Sequence, residues 1–407
     1  MKYSVRAFAL ASVFGLAATS AAYAAKTTIL HRFDGSDGTN SATALTLGPD
    51  GRLYGTTLAA GQFNRGTVFA VDPKTGAFTT LHHFANNEGS DPFGQLLLAS
   101  DGFFYGTTRY GGDPNCPSGC GTIYRISATG DFTQLHVMSF VEGTTLQGGL
   151  IEGTDGRLYG TATLGGQVEC HGGTGAGCGT VYAFSRADSS VSVIHKFNFA
   201  DGRWPYGRVV LASNGSLYGT TSSGAAGEAG TVYRVKPNGK GFKTLVEFGN
   251  TSTNAGCQPK AGLIQADNGS FYGMTEDCGH FNSGAVYSLS PRGEISTLRL
   301  FNPDGYARDG KNPVAELLQG PDGKLYGTTR LGGLPVENPD RNGTVFRIDL
   351  NGSNYKLLHT FMGSPDGAQP TSGLTAGPDN NLYGVTPVGG VESFPGNGTV
   401  YKVRIAK

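Results

Sequence analysis

The dipeptide Tyr-Gly recurs seven times at near-constant spacing, at Tyr54, Tyr105, Tyr159, Tyr218, Tyr272, Tyr326 and Tyr383, with intervals of 51, 54, 59, 54, 54 and 57 residues. Such self-similarity makes the chain an array of one supersecondary unit, and each unit must bury its apolar faces against its neighbours. A turn signal such as Pro49-Asp50-Gly51 or Ser213-Asn214-Gly215 precedes Tyr-Gly. After a variable loop comes Gly-Thr-Val-aromatic, as in Gly66-Thr67-Val68-Phe69 and Gly398-Thr399-Val400-Tyr401. A Leu-rich run (Leu96-Leu97-Leu98) stands before the turn, and Leu-His-x-Phe closes the unit, as in Leu81-His82-His83-Phe84 and Leu358-His359-Thr360-Phe361. This pattern predicts four short strands per repeat. Glycine, at 66 of 407 residues, is about twice as common as usual, which suits so many turns.

Strands such as Thr67-Val68-Phe69-Ala70-Val71 are apolar on both sides of the pleat, so neighbouring repeats must cover both faces of each small sheet. Units of about 50 residues with four strands suit a radial propeller better than a β-solenoid, whose rungs are shorter. The expected fold is all-β, a seven-bladed β-propeller with four-stranded blades over residues 25–407. The seventh repeat ends near Val403 without its Leu-His-x-Phe strand, while an orphan copy, Leu30-His31-Arg32-Phe33, stands near the start. The N-terminal strand is therefore expected to complete the last blade, closing the ring and protecting a sheet edge.

The string Leu53-Tyr54-Gly55-Thr56-Thr57, the Gly-Gly that often follows, the Gly-Thr-Val-Phe element and the Leu-His-x-Phe ending resemble the GloVer (Gloeo_Verruco) tandem repeat of exported bacterial proteins. The resemblance covers nearly all of the chain after residue 24. It implies a β-propeller in an extracytoplasmic protein, and it implies no activity or site. That family is often seen with C-terminal sorting anchors, whereas this chain stops at Lys407 without one, so surface tethering is not expected.

Lys2 and Arg6 precede an apolar stretch from Ala7 to Ala18, and Ala22-Tyr23-Ala24 offers a small-x-small cleavage site, so residues 1–24 read as a signal peptide. The stretch is shorter than the roughly 20 residues a bilayer span needs, and no later run approaches that length. Export to the periplasm or beyond is expected, without membrane insertion or a lipid anchor. Basic and acidic residues balance at 31 each with no long run of one sign, which argues against nucleic acid as a partner. The expected state is a monomer.

A residue present in every repeat is most simply scaffold, so function should lie in what differs. His31, His82, His195 and His359, with His136 as a looser counterpart, read as parts of the outer strand. A second signature, acid-Gly-x-x-Pro-x-x-x-apolar, carries Asp37, Glu88, Glu142, Asp201, Asp309 and Asp366, with Ala255 in the fifth copy. Its acids read as turn builders that accept backbone N–H bonds. The links between strands one and two and between strands three and four are tight. The longer links emerge together on one face, where function is expected.

All six cysteines lie in those long loops, and an even count in an exported protein reads as disulfides. Pairing within blades, Cys116–Cys120, Cys170–Cys178 and Cys257–Cys278, is the simplest of several open connectivities. A zinc site using Cys170-His171 or Cys278-Gly279-His280 is the sharper alternative, disfavoured by an oxidising compartment and the lack of a paired C-x-x-C.

Arg109-Tyr110, Glu276-Asp277 and Arg330 follow the second strand where other blades carry Leu58, Thr163, Ser222 or Pro387. Trp204, the single tryptophan, stands beside Arg203 and Tyr206 in one long loop, and His171, His280, Tyr306 and Arg308 project from others. An exposed aromatic stacks on a sugar ring, and Arg holds a carboxylate with two parallel hydrogen bonds. The candidate ligand site is therefore Arg109, Tyr110, Trp204, Glu276, His280 and Arg330 around one concave mouth, with no cofactor and no metal. No G-x-S-x-G, H-E-x-x-H, P-loop or post-strand G-x-G-x-x-G is found, so the favoured reading is a binding protein for an extracellular glycan or partner protein. The alternative, by fold analogy, is a polysaccharide-active enzyme. A uronate lyase would use Arg109 or Arg330 to neutralise the sugar carboxylate and His280 or Tyr110 as base. A glycoside hydrolase would draw two carboxylates from Glu276, Asp277, Glu337 and Asp340.

Overall fold

The structure, a computed structural model, describes residues 27–85, 87–112, 119–167, 170, 175–249, 254–302, 305–306, 308–333, 343–390 and 395–405. Residues 1–24, which read from the sequence as a signal peptide, and Cys116, His171, Glu337 and Asp340 lie outside these residues. The described strands form seven four-stranded antiparallel sheets, one per repeat. In blade 1 the order from the axis outward is Thr46–Leu47, Leu53–Thr57, Thr67–Val71 and Phe78–His83. Blade 7 takes its outermost strand from the other end of the chain: Thr27–Arg32 pairs with Thr399–Val403, from Thr27↔Val403 to Arg32↔Thr399. The ring is thus closed as the orphan repeat implies.

The innermost strands are only two residues long because seven of them converge at the axis, where Thr46 and Thr375 donate hydrogen bonds to the main chain of adjacent blades. The second and third strands of blade 1 are buried throughout, covered by both neighbours.

Each recurrent residue has a mechanical task. Tyr54 is fully buried, and its hydroxyl donates to Asp50 in the preceding turn at 2.7 Å. Tyr105 and Tyr159 repeat this with Asp101 and Asp155. Gly55 lies opposite Phe69 in register, and a Cβ there would come within 2.6 Å of that ring and 2.7 Å of Leu45. The glycine therefore admits the aromatic ring of the third strand.

Each blade carries a bulge at the first position of the Leu-His-x-Phe segment, a leucine in six blades and Ile194 in the other. Val68 pairs with His82 and Phe69 with Thr80, leaving Leu81 out of the ladder, and the same register shift occurs in the other six blades. A bulge re-aims the side chain beside it. Here it turns the histidine toward the next blade: His31 stacks on Phe78 at 3.7 Å, His82 on Phe132 at 4.0 Å and His195 on Phe242 at 3.6 Å.

The same histidines meet the acids of the second signature. His31–Asp37 (2.6 Å), His82–Glu88 (3.0 Å), His136–Glu142 (3.2 Å), His195–Asp201 (2.9 Å) and His359–Asp366 (2.8 Å) form a strut in five blades. Arg299–Asp309 replaces it in a sixth. Where the acid is Ala255 the histidine is Val246, and the loop is fixed by the Cys257–Cys278 disulfide. Histidine and acid are lost together, which marks them as one scaffold device. The acid is also held by its carbonyl, to which Thr67 donates at Asp37 (2.9 Å) and Thr122 at Glu88 (2.8 Å).

Cys170–Cys178 and Cys257–Cys278 are disulfides within a blade, with Cα atoms 5.4 Å apart in each. Cys120 is disulfide-bonded as well. The sulfurs that the zinc alternative requires at Cys170 and Cys278 are therefore already committed.

Two predictions arise here. Burial pushes the His82 imidazole below its ordinary 6.5, only partly offset by Glu88. The unfolded chain then binds this proton more readily, so burying His82 as a neutral imidazole gives a stability contribution that is present above about pH 6.5 and lost as the pH falls, with Glu88 offsetting part of the loss. Replacing His82 by Gln should flatten the acid limb of the melting profile between about pH 7 and 5; an unchanged slope would contradict this. The second concerns Tyr124, Tyr182, Tyr233, Tyr287 and Tyr401, third-strand phenols whose buried hydroxyls have no partner among the described residues. Blades 1 and 6 use Phe69 and Phe346 at that position. Changing Tyr233 to Phe should be neutral or raise stability by up to about 1 kcal/mol in a denaturation experiment, because an unmade buried hydrogen bond is removed. A clear loss would show that the hydroxyl is satisfied after all.

Candidate ligand site at the ring axis

The acid-Gly-x-x-Pro frame aims the chain at the axis. The residue at the position before proline has a left-handed backbone in every copy, with φ of 58° at Asn40, 60° at Asp91, 61° at Thr145, 60° at Trp204, 55° at Gln258, 53° at Asn312 and 55° at Gln369. Five of these residues precede a proline, Ser41 and Leu146 standing in its place in the other two copies. Residues before proline favour extended backbone, so these five loops are held against their local preference, four by a strut and the fifth by the Cys257–Cys278 disulfide.

Beyond this kink two positions per blade face the axis. The first, directly after the proline, carries Phe93, Tyr206 and Lys260 in three blades and Ala42 and Thr371 in others. The second, two residues on, carries Gln95, Arg208 and Glu316, against glycine at 149, 262 and 373. With Leu58, Arg109, Glu276, Arg330 and Pro387 from the position after the second strand, they line one cavity of about 540 Å3. That volume falls in the range of small-ligand sites. A narrower cavity of about 270 Å3 continues past Arg208 and Glu316 to the innermost strands.

The charges are paired but unequal. The Glu276 carboxylate, 7% exposed, lies 2.5 Å from Lys260 Nζ and 3.3 Å from the Arg330 guanidinium. Arg208 of blade 4 meets Glu316 of blade 6 at 2.8 Å, beside the Gly262 of blade 5. Arg109 reaches Asp91 at 3.4 Å and lies over the rings of Phe93 (5.5 Å) and Tyr110 (5.1 Å). Burial pushes the Asp91 carboxyl up, and Arg109 offsets only part of this. Among the described lining residues Arg109, Arg208, Lys260 and Arg330 face two carboxylates, and with Asp91 counted behind Arg109 the formal excess is one positive charge. All of it comes from blades 2, 4, 5 and 6; blades 1, 3 and 7 present small or uncharged groups.

Of the residues singled out from sequence, Arg109, Glu276 and Arg330 come together in this funnel. Tyr110 supports Arg109 from outside the lining. Trp204 sits at its loop's kink, where its amide donates to the Cys178 carbonyl at 2.9 Å and Arg203 covers its ring at 4.2 Å. His280 opens an exposed 3-10 turn, His280–Asn282, away from the cavity. Sequence reasoning passed over Arg208, Lys260 and Glu316. They occupy the variable positions of a frame whose fixed residues were recognised, and their chemical variation between copies was the signal, as it was for Arg109.

Similar solved structures include the extracellular domain of a protein described as a hybrid two-component system of B. thetaiotaomicron, with TM-score 0.60 and 10% identity over 94% of this chain and 40% of that one. This chain thus spans two fifths of the length of that extracellular domain. An oligogalacturonate lyase from Vibrio parahaemolyticus has TM-score 0.59 and 11% identity over 95% of both chains. An oligogalacturonate lyase in complex with manganese has TM-score 0.57 and 12% identity, again over 95% of both. At these identities the likeness establishes the propeller fold alone. No curated protein matches in sequence. The Gloeobacter/Verrucomicrobia repeat model matches residues 10–174 and 168–401, and the chain belongs to that repeat family.

Proposed function

We propose that this protein is an exported binding module that takes an acidic saccharide into its axial funnel. The observation that carries this reading is the excess of cations, Arg109, Arg208, Lys260 and Arg330 over Glu276, Glu316 and the Asp91 behind Arg109, in a sugar-sized cavity that also presents Phe93 and Tyr206. A guanidinium has five donors, so Arg330 can keep its bond to Glu276 and still bind a sugar carboxylate. The disulfides suit an oxidising compartment, the periplasm or the cell exterior. Titration with oligouronates and with uncharged oligosaccharides of equal length tests the proposal. Binding of the acidic series alone, weakening as salt is raised, is expected. Equal binding of both series, or of neither, would overturn it.

A uronate lyase is the second reading, favoured by the presence of Tyr206 beside the cations and by the lyases among the similar folds. His280 and Tyr110 lie off the lining and Lys260 is held as a cation by Glu276, so the proton-abstracting base would be Tyr206. New ultraviolet absorbance from an unsaturated product during the same titrations would establish it. Hydrolysis fits less well. Glu276 and Glu316 are both engaged by cations, whereas the reaction needs one carboxylic acid free to give up its proton.

A further inference from the structure

We propose that an aromatic subsite adjoins the funnel on the blade 5 side and binds the sugar units of an acidic oligosaccharide beyond the one held among the cations. The proposal rests on the function inferred above and extends it from a saccharide of any size to a chain of several units.

Phe281 is the most exposed large apolar side chain among the described residues, at 67%, and Tyr306 is 60% exposed. The two belong to one patch: a Cβ on Gly305, the neighbour of Tyr306, would lie 3.3 Å from the Phe281 ring. The Arg308 guanidinium stands 5.1 Å from the centre of the Tyr306 ring.

The outward position of Phe281 is held in place. Cys278, Phe281 and Asn282 all have left-handed backbone, with φ of 59°, 48° and 52°. Side-chain-bearing residues adopt that region only where the surroundings over-determine it. Here the Cys257–Cys278 disulfide fixes the start of the loop, and the Ser283 amide donates back to the Cys278 carbonyl at 3.0 Å.

The patch is also continuous with the funnel wall. Asn312 Nδ2 donates both to the Glu276 carbonyl (3.0 Å) and to the Asn282 carbonyl (3.3 Å), and the Asn312 amide donates to the Ser283 carbonyl (2.9 Å). The loop that ends in Phe281 therefore begins at the funnel carboxylate. The connection that carries Tyr306 and Arg308 leads through Asn312 to Val314 and Glu316 in the cavity lining. One pair of clamped loops serves both places.

The occupant follows from the chemistry. Two exposed rings set among Arg308, His280 and Asn282 match the apolar face of a pyranose, its hydroxyls and a uronate carboxylate. An apolar protein partner would require a wider unbroken surface.

Calorimetric titration with monomeric, trimeric and hexameric galacturonate and mannuronate tests this on the mature wild-type chain, Phe281→Ala, Tyr306→Ala and Phe281→Tyr. The hexamer should bind wild type more tightly than the monomer. Phe281→Ala or Tyr306→Ala should cost about tenfold in hexamer affinity and nothing in monomer affinity, and Phe281→Tyr should retain the wild-type value. Both alanine variants remove exposed side chains, and unchanged melting temperatures would confirm that they fold. If the monomer binds but hexamer affinity is the same in all four proteins, the subsite is refuted while the funnel stands. If wild type binds no member of either ladder, the functional reading falls, and the subsite with it.

Discussion

Removing Thr27–Phe33 is expected to abolish the soluble monomer. This strand supplies the outermost ladder of blade 7 against Thr399–Val403, and Phe33 is buried in a cluster with Leu45, Leu53, Phe69 and Tyr383 that joins blades 7 and 1. Without it His31 no longer stacks on Phe78 and Asp37 loses its strut. The newly exposed edge would present an unpaired row of N–H and C=O groups, a template for association. Size-exclusion chromatography and melting of the truncated chain provide the check. A variant that elutes and melts like the full mature protein would mean that the ring does not depend on this closure.

Replacing both Arg109 and Arg330 by Ala should lower affinity for an acidic saccharide by about 100-fold or more, since each loses charge-assisted hydrogen bonds to the ligand. The fold should change little. Glu276 keeps Lys260 at 2.5 Å when Arg330 is removed, and both arginines are partly exposed. A stability change within about 1 kcal/mol is expected for partly exposed ion pairs of this kind. Retained affinity in a folded double variant would move the site away from the axis.

The architecture was legible because the chain contains its own alignment. Seven copies of Tyr-Gly set the blade count, and the stray Leu30-His31-Arg32-Phe33 marks the closure. What each repeated residue does was less legible. Leucine at the bulge and histidine on the next blade's aromatic ring are consequences of strand register, which no single copy displays. The link between His31 and Asp37 joins two motifs that had each been read as scaffold separately. The coupled loss of Val246 and Ala255 was visible in sequence but gained its meaning from the strut.

At the site, position proved a better guide than residue type. Arg109, Tyr110, Glu276 and Arg330 stand out because they differ from their counterparts in other blades, and all but Tyr110 line the cavity. Trp204 and His280 were chosen for their chemistry, and chemistry alone carries no direction: one is folded under Arg203 and the other stands on an exposed turn. Arg208, Lys260 and Glu316 reach the axis through the left-handed residue before proline, a conformation that side-chain identity does not announce.

Hydrogen exchange of the mature protein with and without saturating hexameric uronate tests the axial site most directly. Protection is expected in the segments 205–209, 259–263 and 313–317 and in the loop from Glu276 to Ser283, with the outer strands unaffected. Protection confined to outer strands such as Phe78–His83 and Val191–Lys196 would place the ligand on the rim of the propeller and contradict an axial site.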